Sequence, residues 1–326
     1  MGRLGAPSRQ VRRGRPSGEG AATWFSARPD RHFYGHGAYS SDGKLPYATQ
    51  NDYENARGII GVFDATDGYK QVGEFPSHGL EPHDILMLGD DRTLVIANGG
   101  IETHPDYGSR ELKLPEMKPS LVYMDVETGD LMEEQVLAPH LHQLSIRHLA
   151  VSGRDSVAFG CQYRGPETEA PPLVGFHRRG AEPVIVAAPT ETQAALQNYI
   201  GLVACDSSGS IVAASSPKGG LVTYWDVATR RYLGTTTLSD GCGLAPMRHS
   251  GSFLLTSGEG WLVSTAPNGD MQGIGFPLGQ SRDLGGLICC SNVLIGPVSG
   301  PILTVFPGLS CLCPTPPTPD RRRAAT

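Results

Sequence analysis

Short apolar runs alternate with polar turns along the middle of the chain, and this alternation repeats. Each repeat contains an apolar run, a turn rich in Asp or Gly, a second apolar run and two further strand-like segments. Five such units begin, at successive offsets of 47, 65, 53 and 42 residues, near His36, His83, His148, Gly201 and Gly243. Because repeats of about 40 to 50 residues are typical of propeller blades, the pattern predicts an all-β β-propeller with about five well-formed, four-stranded blades.

The first unit, residues 37–75, shows how one blade is built. It contains four runs of strand-forming residues, and the steps Asp42-Gly43 and Asp67-Gly68 mark its hairpin turns. Glycine accepts the positive φ that a tight reversal needs. The turn between the third and fourth strands carries an Asp that is placed to accept backbone N–H bonds, a structural role, and it recurs at 62–68, 123–129 and 224–230.

Composition supports many short strands joined by turns. The chain of 326 residues has 42 Gly and 26 Pro, and 39% of its residues are hydrophobic. Such turn-rich composition with few long helix-forming stretches favours an all-β domain. The net charge is −6 and charges of both signs are interspersed, so the sequence predicts no nucleic-acid partner.

The first thirty residues differ from the middle of the chain. Residues 1–30 are rich in Arg and contain no apolar run of the length that an export signal requires, so no intact signal peptide is recognised, although Arg12-Arg13 is similar to a twin-arginine motif. Because this segment offers little apolar surface to offset its ordering entropy, we expect it to be disordered. The propeller domain is expected over residues 31–277.

The far end, residues 278–326, is rich in Cys and Pro and is expected to be irregular or disordered. The apolar run 285–309 is interrupted by Pro297, Pro301 and several Gly, so no membrane span is expected. The cysteine spacings lack the two-residue gap of common zinc sites and indicate no disulfide framework. Three cysteines lie singly in apolar runs, where buried free thiols are expected, at Cys161, Cys205 and Cys242.

Three histidines begin consecutive units at one apparent register, at His36, His83 and His148. The first strand of a propeller blade lies innermost, so their side chains should converge at one end of the central channel. Imidazole suits Cu, Fe, Zn and Ni, and the sequence therefore suggests a transition-metal site. Two alternatives stay open: each His hydrogen-bonds the next blade and serves the fold, or the cluster binds an organic ligand. Gly201 and Gly243 occupy the same position in the last two units.

A second candidate region is the insertion 98–119, which makes one offset longer than the rest. Long loops on a rigid scaffold often cover a binding site, although a solvated loop that merely tolerates insertion is an equal alternative. Ligand-binding candidates in this loop and at the expected channel mouth are Asn98, His104, Arg110, Arg147 and Asp84. Asp84 could orient an imidazole, but together with Glu81 it could also be a simple surface acid.

Common catalytic motifs are absent from the sequence. There is no G-x-S-x-G elbow, Walker loop, H-E-x-x-H helix or paired C-x-x-C. Common hydrolase, nucleotide and zinc chemistries therefore lack their usual residues.

Several long segments carry a family resemblance, among them RHFYGHGAYSSDG, GEFPSHGLEPHDILM and AASSPKGGLVTYWD. Over roughly residues 31–265 the chain resembles a bacterial family catalogued as domain of unknown function 1513, and more loosely YVTN, WD40 and lactonase-type propellers. The resemblance implies a seven-bladed, periplasmic propeller exported by a twin-arginine signal. It also implies gene neighbours of the imelysin type and a di-haem protein as partners.

Two functional interpretations follow from these observations. The first is a periplasmic binding or scaffold protein, linked to iron or metal handling, that presents a propeller face to a partner. The alternative is an enzyme at the channel mouth, of lactonase-like or metal-dependent redox type. The sequence identifies no cofactor beyond the suggested transition metal.

Overall fold

A computed structural model of the chain describes residues 10–13, 23–107, 111–153 and 155–274. These residues form five four-stranded antiparallel sheets and one two-stranded sheet. In each four-stranded sheet the strands follow one another in chain order, so every blade is an antiparallel meander. The prediction of an all-β fold with five four-stranded blades is confirmed.

The strands fall into a short hairpin and five blades. The hairpin and blade 1 comprise β1 (Gln10–Arg13), β2 (Thr23–Ser26), β3 (Arg31–Tyr39), β4 (Pro46–Asp52), β5 (Arg57–Asp64) and β6 (Lys70–Pro76). Blades 2 and 3 comprise β7 (Pro82–Met87), β8 (Thr93–Asn98), β9 (Ser120–Asp125), β10 (Leu131–Val136), β11 (Leu144–Val151), β12 (Ser156–Tyr163), β13 (Val174–Arg178) and β14 (Val184–Val186). Blades 4 and 5 comprise β15 (Leu202–Cys205), β16 (Ile211–Ser216), β17 (Leu221–Asp226), β18 (Tyr232–Thr237), β19 (Gly241–Pro246), β20 (Phe253–Ser257), β21 (Leu262–Thr265) and β22 (Met271–Gly273).

Helical structure is brief and lies in the connections. One α-helix, α1 (Thr190–Ala195), leads from blade 3 to blade 4. Short 3-10 helices occur at Pro105–Tyr107, Leu114–Glu116 and Pro139–Leu141. Among the described residues, no helix is both long and apolar enough to cross a bilayer.

The blades pack face to face because their middle strands are apolar on both sides. In β8, Leu94 and Ile96 belong to a buried cluster shared with blade 1, whereas Val95 and Ala97 belong to a cluster shared with blades 3 and 4. Alternate side chains of a strand point to opposite faces of its sheet, so a strand between two blades needs apolar residues at every position. This requirement explains why the middle strands read as continuous apolar runs.

The first strands of successive blades lie side by side along the channel. β3 contacts β7, β7 contacts β11, β11 contacts β15, and β15 contacts β19. The fourth strands lie at the outer edge, and β6 and β10 are largely exposed, whereas β8 and β9 are buried along their whole length. The channel is therefore lined by the strands whose histidines the sequence singled out.

The recurring Asp turns are formed as predicted. The Oδ1 atom of Asp64 accepts hydrogen bonds from the backbone N–H groups of Thr66 and Asp67. Asp125 accepts from the corresponding N–H groups two and three residues further along the chain. Asp226 accepts in the same way from Thr229. These carboxylates close the turns between third and fourth strands, so their role is structural.

The ends of the chain were expected to lack order. Within residues 1–30, the two described stretches, β1 and β2, pair as an antiparallel hairpin. Trp24 and Phe25 are strong strand formers. The prediction gave more weight to the many Arg residues of the segment than to these two. The predicted irregular tail 278–326 and the apolar run 285–309 lie outside the described residues. Cys161 and Cys205 are free thiols, and Cys161 and Cys242 are buried.

One carboxylate joins blades 4 and 5. The Oδ1 atom of Asp206 accepts the N–H groups of Ser210 and Ile211 within its own turn. Its Oδ2 atom accepts the Gly251 N–H and the Ser250 hydroxyl of blade 5 at 2.9 and 3.1 Å. Burial acts to raise the pKa of Asp206, but the hydrogen bonds from these partners and Ser208 outweigh it, and the pKa lies well below its ordinary value.

We expect Asp206→Ala to lower the free energy of unfolding by about 2 kcal/mol at pH 7, because it leaves several backbone donors without their acceptor. The depressed pKa means that this contribution is present above about pH 4 and is lost as the pH falls below that value. Urea unfolding should therefore show a difference between variant and wild type that shrinks in acid. Asp42→Ala, in an exposed turn, is the control, and an equal loss there would contradict the prediction.

Candidate functional site

Three imidazoles from three consecutive blades meet in the interior. The ring centroids of His36 and His83 are 5.1 Å apart, those of His36 and His148 are 5.2 Å apart, and those of His83 and His148 are 4.8 Å apart. One ring nitrogen of each residue lies within 4.8 Å of the others, and all three side chains are buried. Within the described ranges, this is the one group of three or more such ligand residues with so close a spacing. We refer to it as the histidine cluster.

Backbone irregularities direct the three rings toward one another. His36 lies in a stretch of β3 where the register with β4 shifts. In β7 the bulging residue is His83, whereas in β11 the bulging residue is Arg147 and His148 follows it. The prediction that the three histidines share one register at the strand starts is therefore wrong. A bulge adds a residue and redirects the side chains beside it. The spacing of the three histidines along the chain therefore does not show that their rings point toward the same place.

The carboxylate of Asp84 contacts the histidine cluster and accepts hydrogen bonds from the backbone of two blades. Its Oδ1 atom accepts the Ile85 N–H at 2.8 Å and lies 3.4 Å from Nδ1 of His36. Its Oδ2 atom accepts the Leu149 N–H of blade 3 at 2.9 Å. Both oxygens are therefore used, and the carboxylate lies where it can orient the His36 ring.

Arg147 and Glu81 form a buried ion pair at the edge of the histidine cluster. Nη1 of Arg147 lies 2.6 Å from Oε1 of Glu81 and 3.0 Å from Nδ1 of His83. The side chains of Arg147 and Glu81 are each 6% exposed. The alternative that Glu81 and Asp84 are surface acids is therefore wrong, because both side chains are buried.

Burial and charge shift the pKa values of this group. Burial acts to raise the pKa of Asp84, but the neighbouring His36 ring outweighs it, and the pKa lies below its ordinary value. Burial raises the pKa of Glu81 despite the attraction of Arg147. Burial acts to lower the pKa of Arg147, whereas the carboxylates of Glu81 and Glu111 raise it, with a net increase. The guanidinium therefore stays charged beside the imidazoles.

The insertion 98–119, which joins β8 to β9 in blade 2, contacts blade 1 on one side and blade 3 on the other. The backbone oxygen and hydroxyl of Thr103 accept hydrogen bonds from the Asn51 amide of blade 1. The carbonyl oxygen of Gly99 accepts the hydroxyl of Ser145 in blade 3 at 2.9 Å. The loop is thus fastened at both sides.

Aromatic rings extend from the insertion to blade 1. The rings of His104 and Tyr53 are 5.4 Å apart, Tyr53 stacks on His32 at 5.9 Å, and His32 meets Tyr34 at 5.1 Å. Tyr107 lies 5.9 Å from His104 on the exposed side. Burial lowers the pKa of His32 to about 4 and raises the pKa of Tyr34 well above its usual range. His104 thus lies in this aromatic group, separate from the histidine cluster.

The remaining ligand-binding candidates lie elsewhere. Asn98 ends β8, and its amide donates to the carbonyl oxygen of Ser77 and the hydroxyl of Ser120. Among the described contacts, none joins Asn98 to the histidine cluster, and its bonds hold adjacent segments together. Arg110 lies outside the described residues.

Sequence reasoning missed Glu81 as a member of the site. Its φ is +55°, in the left-handed region that non-glycine residues seldom adopt. It directly follows the segment Ser77–Leu80 that leads into β7. By residue type alone it looks like an ordinary turn residue. The signal that could have found it is its place two residues before His83, at the start of an innermost strand.

The blades and the buried cluster define the class: a β-propeller whose innermost strands gather imidazole, carboxylate and guanidinium groups inside the ring of blades. The chain belongs to the family described as Protein of unknown function (DUF1513), whose model matches residues 6–274. No curated protein matches significantly in sequence.

Solved structures share the fold at low sequence identity. The β-propeller domain of Cps50 (Swd1) from Myceliophteria thermophila is 11% identical with a TM-score of 0.50, and the match covers 71% of this chain and 64% of that one. This chain therefore spans slightly less than two thirds of that domain's length. A chain in a mitotic checkpoint complex is 13% identical with a TM-score of 0.59, over 85% of this chain and 74% of that one. At such identities the likeness shows a WD40-type propeller fold alone.

Proposed function

We propose that the protein is a metal-binding propeller that holds one divalent transition-metal ion in the histidine cluster. The observation that carries this proposal is the meeting of three imidazoles, contributed by three separate blades, within 4.8 Å of one another. Residues that serve only to join neighbouring blades would satisfy their bonds in pairs along each interface. Three imidazoles that meet in one place can direct three ring nitrogens at a single ion, as a metal site requires.

The spacing of the nitrogens is compatible with a metal after a small closure. Nitrogens bound to one ion lie about 2.0 to 2.1 Å from it, which places them about 3.3 Å from one another in a tetrahedral site. The rings must therefore move inward from their present separations of up to 4.8 Å. Asp84 supports this arrangement, because its carboxylate lies 3.4 Å from Nδ1 of His36 and places a negative charge beside the proposed cation.

Imidazole ligands favour Cu, Zn, Ni and Fe over Mg and Ca, which prefer oxygen. We infer a binding role, in which the propeller stores or presents the ion. Each ligand lies on an innermost strand or its bulge and not on a terminal loop, which supports a rigid site.

The cellular location and the partner of the protein are also proposals. We infer a periplasmic location and a protein partner in iron or metal handling, of the imelysin or di-haem type. Membership of the family supports both inferences through the resemblance described above. Cell fractionation and cross-linking of the native protein would test them, and recovery of the protein in the cytoplasm alone would contradict the location.

Metal content tests the proposed site directly. Metal-free protein is incubated with Zn²⁺, Cu²⁺, Ni²⁺ or Fe²⁺, desalted and submitted to elemental analysis. We expect one ion per chain, together with a higher melting temperature, because a ligand that binds only the folded state stabilises it. The triple variant His36→Ala, His83→Ala, His148→Ala should lose both effects.

The matched control removes three histidines outside the cluster, as His140→Ala, His142→Ala and His249→Ala. It should keep the metal, since these side chains lie at or near the surface. Circular dichroism establishes that each variant is folded, and the milder pair His36→Gln, His148→Gln serves if the triple variant does not fold. Equal metal content in wild type and folded cluster variants would overturn the proposal.

A further inference from the structure

We propose, as a step that rests on the proposed function, that Arg147 competes with the metal ion for His83 and so sets the affinity of the metal site. Its guanidinium occupies the lone pair of His83 in the metal-free protein. A metal ion must replace this cation before it can use His83 as a ligand. Arg147 thereby sets the affinity that an ion needs in order to enter the histidine cluster.

The hydrogen bond between Arg147 and His83 has only one possible direction. Nη1 of Arg147 carries two hydrogens and no lone pair, and it lies 3.0 Å from Nδ1 of His83 and 2.6 Å from Oε1 of Glu81. One hydrogen therefore goes to each acceptor. Nδ1 of His83 accepts, and the neutral ring carries its own hydrogen on Nε2.

Every route by which His83 can bind a metal breaks this hydrogen bond. If the ion binds Nδ1, it takes the lone pair that Arg147 now uses. If the ion binds Nε2, the ring hydrogen must move to Nδ1, where it would face an N–H of Arg147. Metal binding and the Arg147 contact are therefore mutually exclusive at His83.

The ion pair provides a position to which Arg147 can withdraw. The second oxygen of Glu81, Oε2, is buried without a hydrogen-bond partner, and so is Nε of Arg147. A guanidinium that leaves His83 can form a second bond to this oxygen and complete the two-bond arrangement that Arg and carboxylate groups favour. The exchange therefore keeps Arg147 paired inside the protein.

Glu81 is held in place for this role by its backbone and its neighbours. Its φ of +55° lies in the left-handed region, a cost that the surrounding structure must offset. A Cβ atom added at Gly99 would lie 2.5 Å from Oε2 of Glu81 and 2.8 Å from Oγ of Ser145. The space around the unused oxygen thus depends on a glycine.

Displacing Arg147 from His83 costs the same free energy whichever divalent ion enters, so the competition lowers the affinity of every ion by one factor. Ions that bind imidazole strongly, such as Cu²⁺, Ni²⁺ and Zn²⁺, keep enough affinity to fill the site, whereas Mn²⁺ binds imidazole weakly in the Irving–Williams order. We therefore infer that, at a given concentration, strongly nitrogen-binding divalent ions fill the site and weaker ones do not. Removal of Arg147 should let weaker ions fill it at lower concentration.

Two single variants with opposite expected effects test the inference on the full chain. Zn²⁺ and Mn²⁺ affinities are measured by competition with a chromophoric chelator. Arg147→Gln should bind both ions roughly ten- to a hundredfold more tightly than wild type, by a similar factor for each ion. Glu81→Gln should bind them more weakly, because it removes the carboxylate to which Arg147 withdraws.

Structural damage would weaken binding in both variants, so opposite signs are the signature of competition. Arg31→Gln, which removes another buried Arg that is paired with a carboxylate, Asp52 of blade 1 at 3.0 Å, is the matched control and should leave the affinities unchanged. The double variant Arg147→Gln, Glu81→Gln removes both buried charges and should bind more tightly than Glu81→Gln if Arg147 competes.

The outcomes separate this inference from the proposed function. If wild type binds metal through the histidines and Arg147→Gln binds equally or more weakly while folded, the competition is refuted and the metal site stands. If neither wild type nor Arg147→Gln binds any of the ions, both proposals fail. If only Arg147→Gln binds, and does so through the three histidines, the competition is confirmed, and the proposal that the wild-type protein holds a metal is refuted.

Discussion

Trp225→Ala is expected to lower the free energy of unfolding by about 4 kcal/mol, which is the upper part of the range for truncating a large buried aromatic residue. Trp225 is 1% exposed and belongs to the buried cluster shared by blades 2, 3 and 4. Its ring meets Tyr232 at 5.5 Å. Truncation would leave a cavity between two blades that must stay in register, and urea unfolding followed by circular dichroism measures the loss.

The chain offers a matched control for this truncation. Trp261 is 46% exposed on blade 5, and Trp261→Ala should change the free energy of unfolding by no more than about 0.5 kcal/mol. The indole N–H of Trp225 donates to the hydroxyl of Thr223, and this hydroxyl also donates to the carbonyl of Ala214. The hydroxyl therefore keeps a hydrogen bond in Trp225→Ala, and the measured loss reports mainly the burial of the ring. Equal losses in the two variants would show that burial between blades is not what Trp225 contributes.

The fold could be predicted from the sequence because each blade repeats its own local signals. Trp225 and the following Asp226 illustrate the point: an aromatic residue ends a buried strand, and a carboxylate closes the next turn. The same order occurs at Phe63 and Asp64 in blade 1. Strand period, turn chemistry and repeat length are properties of neighbouring residues, and all of them indicate the same architecture.

The histidine cluster was only partly predictable. Its three members could be identified, because the innermost strand of a blade can be recognised from its place in the repeat. The bulges at His83 and Arg147 could not, since they depend on how two strands pair across a hairpin. For the same reason the contact between Arg147 and Glu81, 66 positions apart, has no local signature in the sequence.

Asp84 unites the structural and the proposed functional roles of the cluster. It lies beside His83 in sequence, contacts His36 in blade 1 and accepts the Leu149 N–H in blade 3. A single carboxylate therefore connects three blades at the point where the imidazoles meet. The cluster can therefore help to join the blades while it serves as the proposed metal site.

Asp84→Asn should consequently lower the free energy of unfolding by about 3 kcal/mol at pH 7, although it changes one atom. Both carboxylate oxygens accept backbone N–H groups, from Ile85 and Leu149, so the NH₂ of Asn must face one of these donors in either orientation. The pKa of Asp84 lies below its ordinary value, so its contribution is present above about pH 4 and is lost in more acidic solution. The variant and wild type should therefore converge in stability as the pH falls below 4, a trend that urea unfolding across pH can follow.

Asp64→Asn is the control that separates this geometry from charge alone. Its Oδ1 atom receives every hydrogen bond donated by Thr66 and Asp67, which leaves Oδ2 to become the NH₂ group. Since Asn supports such a turn nearly as well as Asp, the loss there should stay below about 1 kcal/mol. If Asp84→Asn costs no more than Asp64→Asn, the carboxylate does not join the blades in the way its two hydrogen bonds indicate. The orientation of His36, on which the metal proposal draws, would then need another cause.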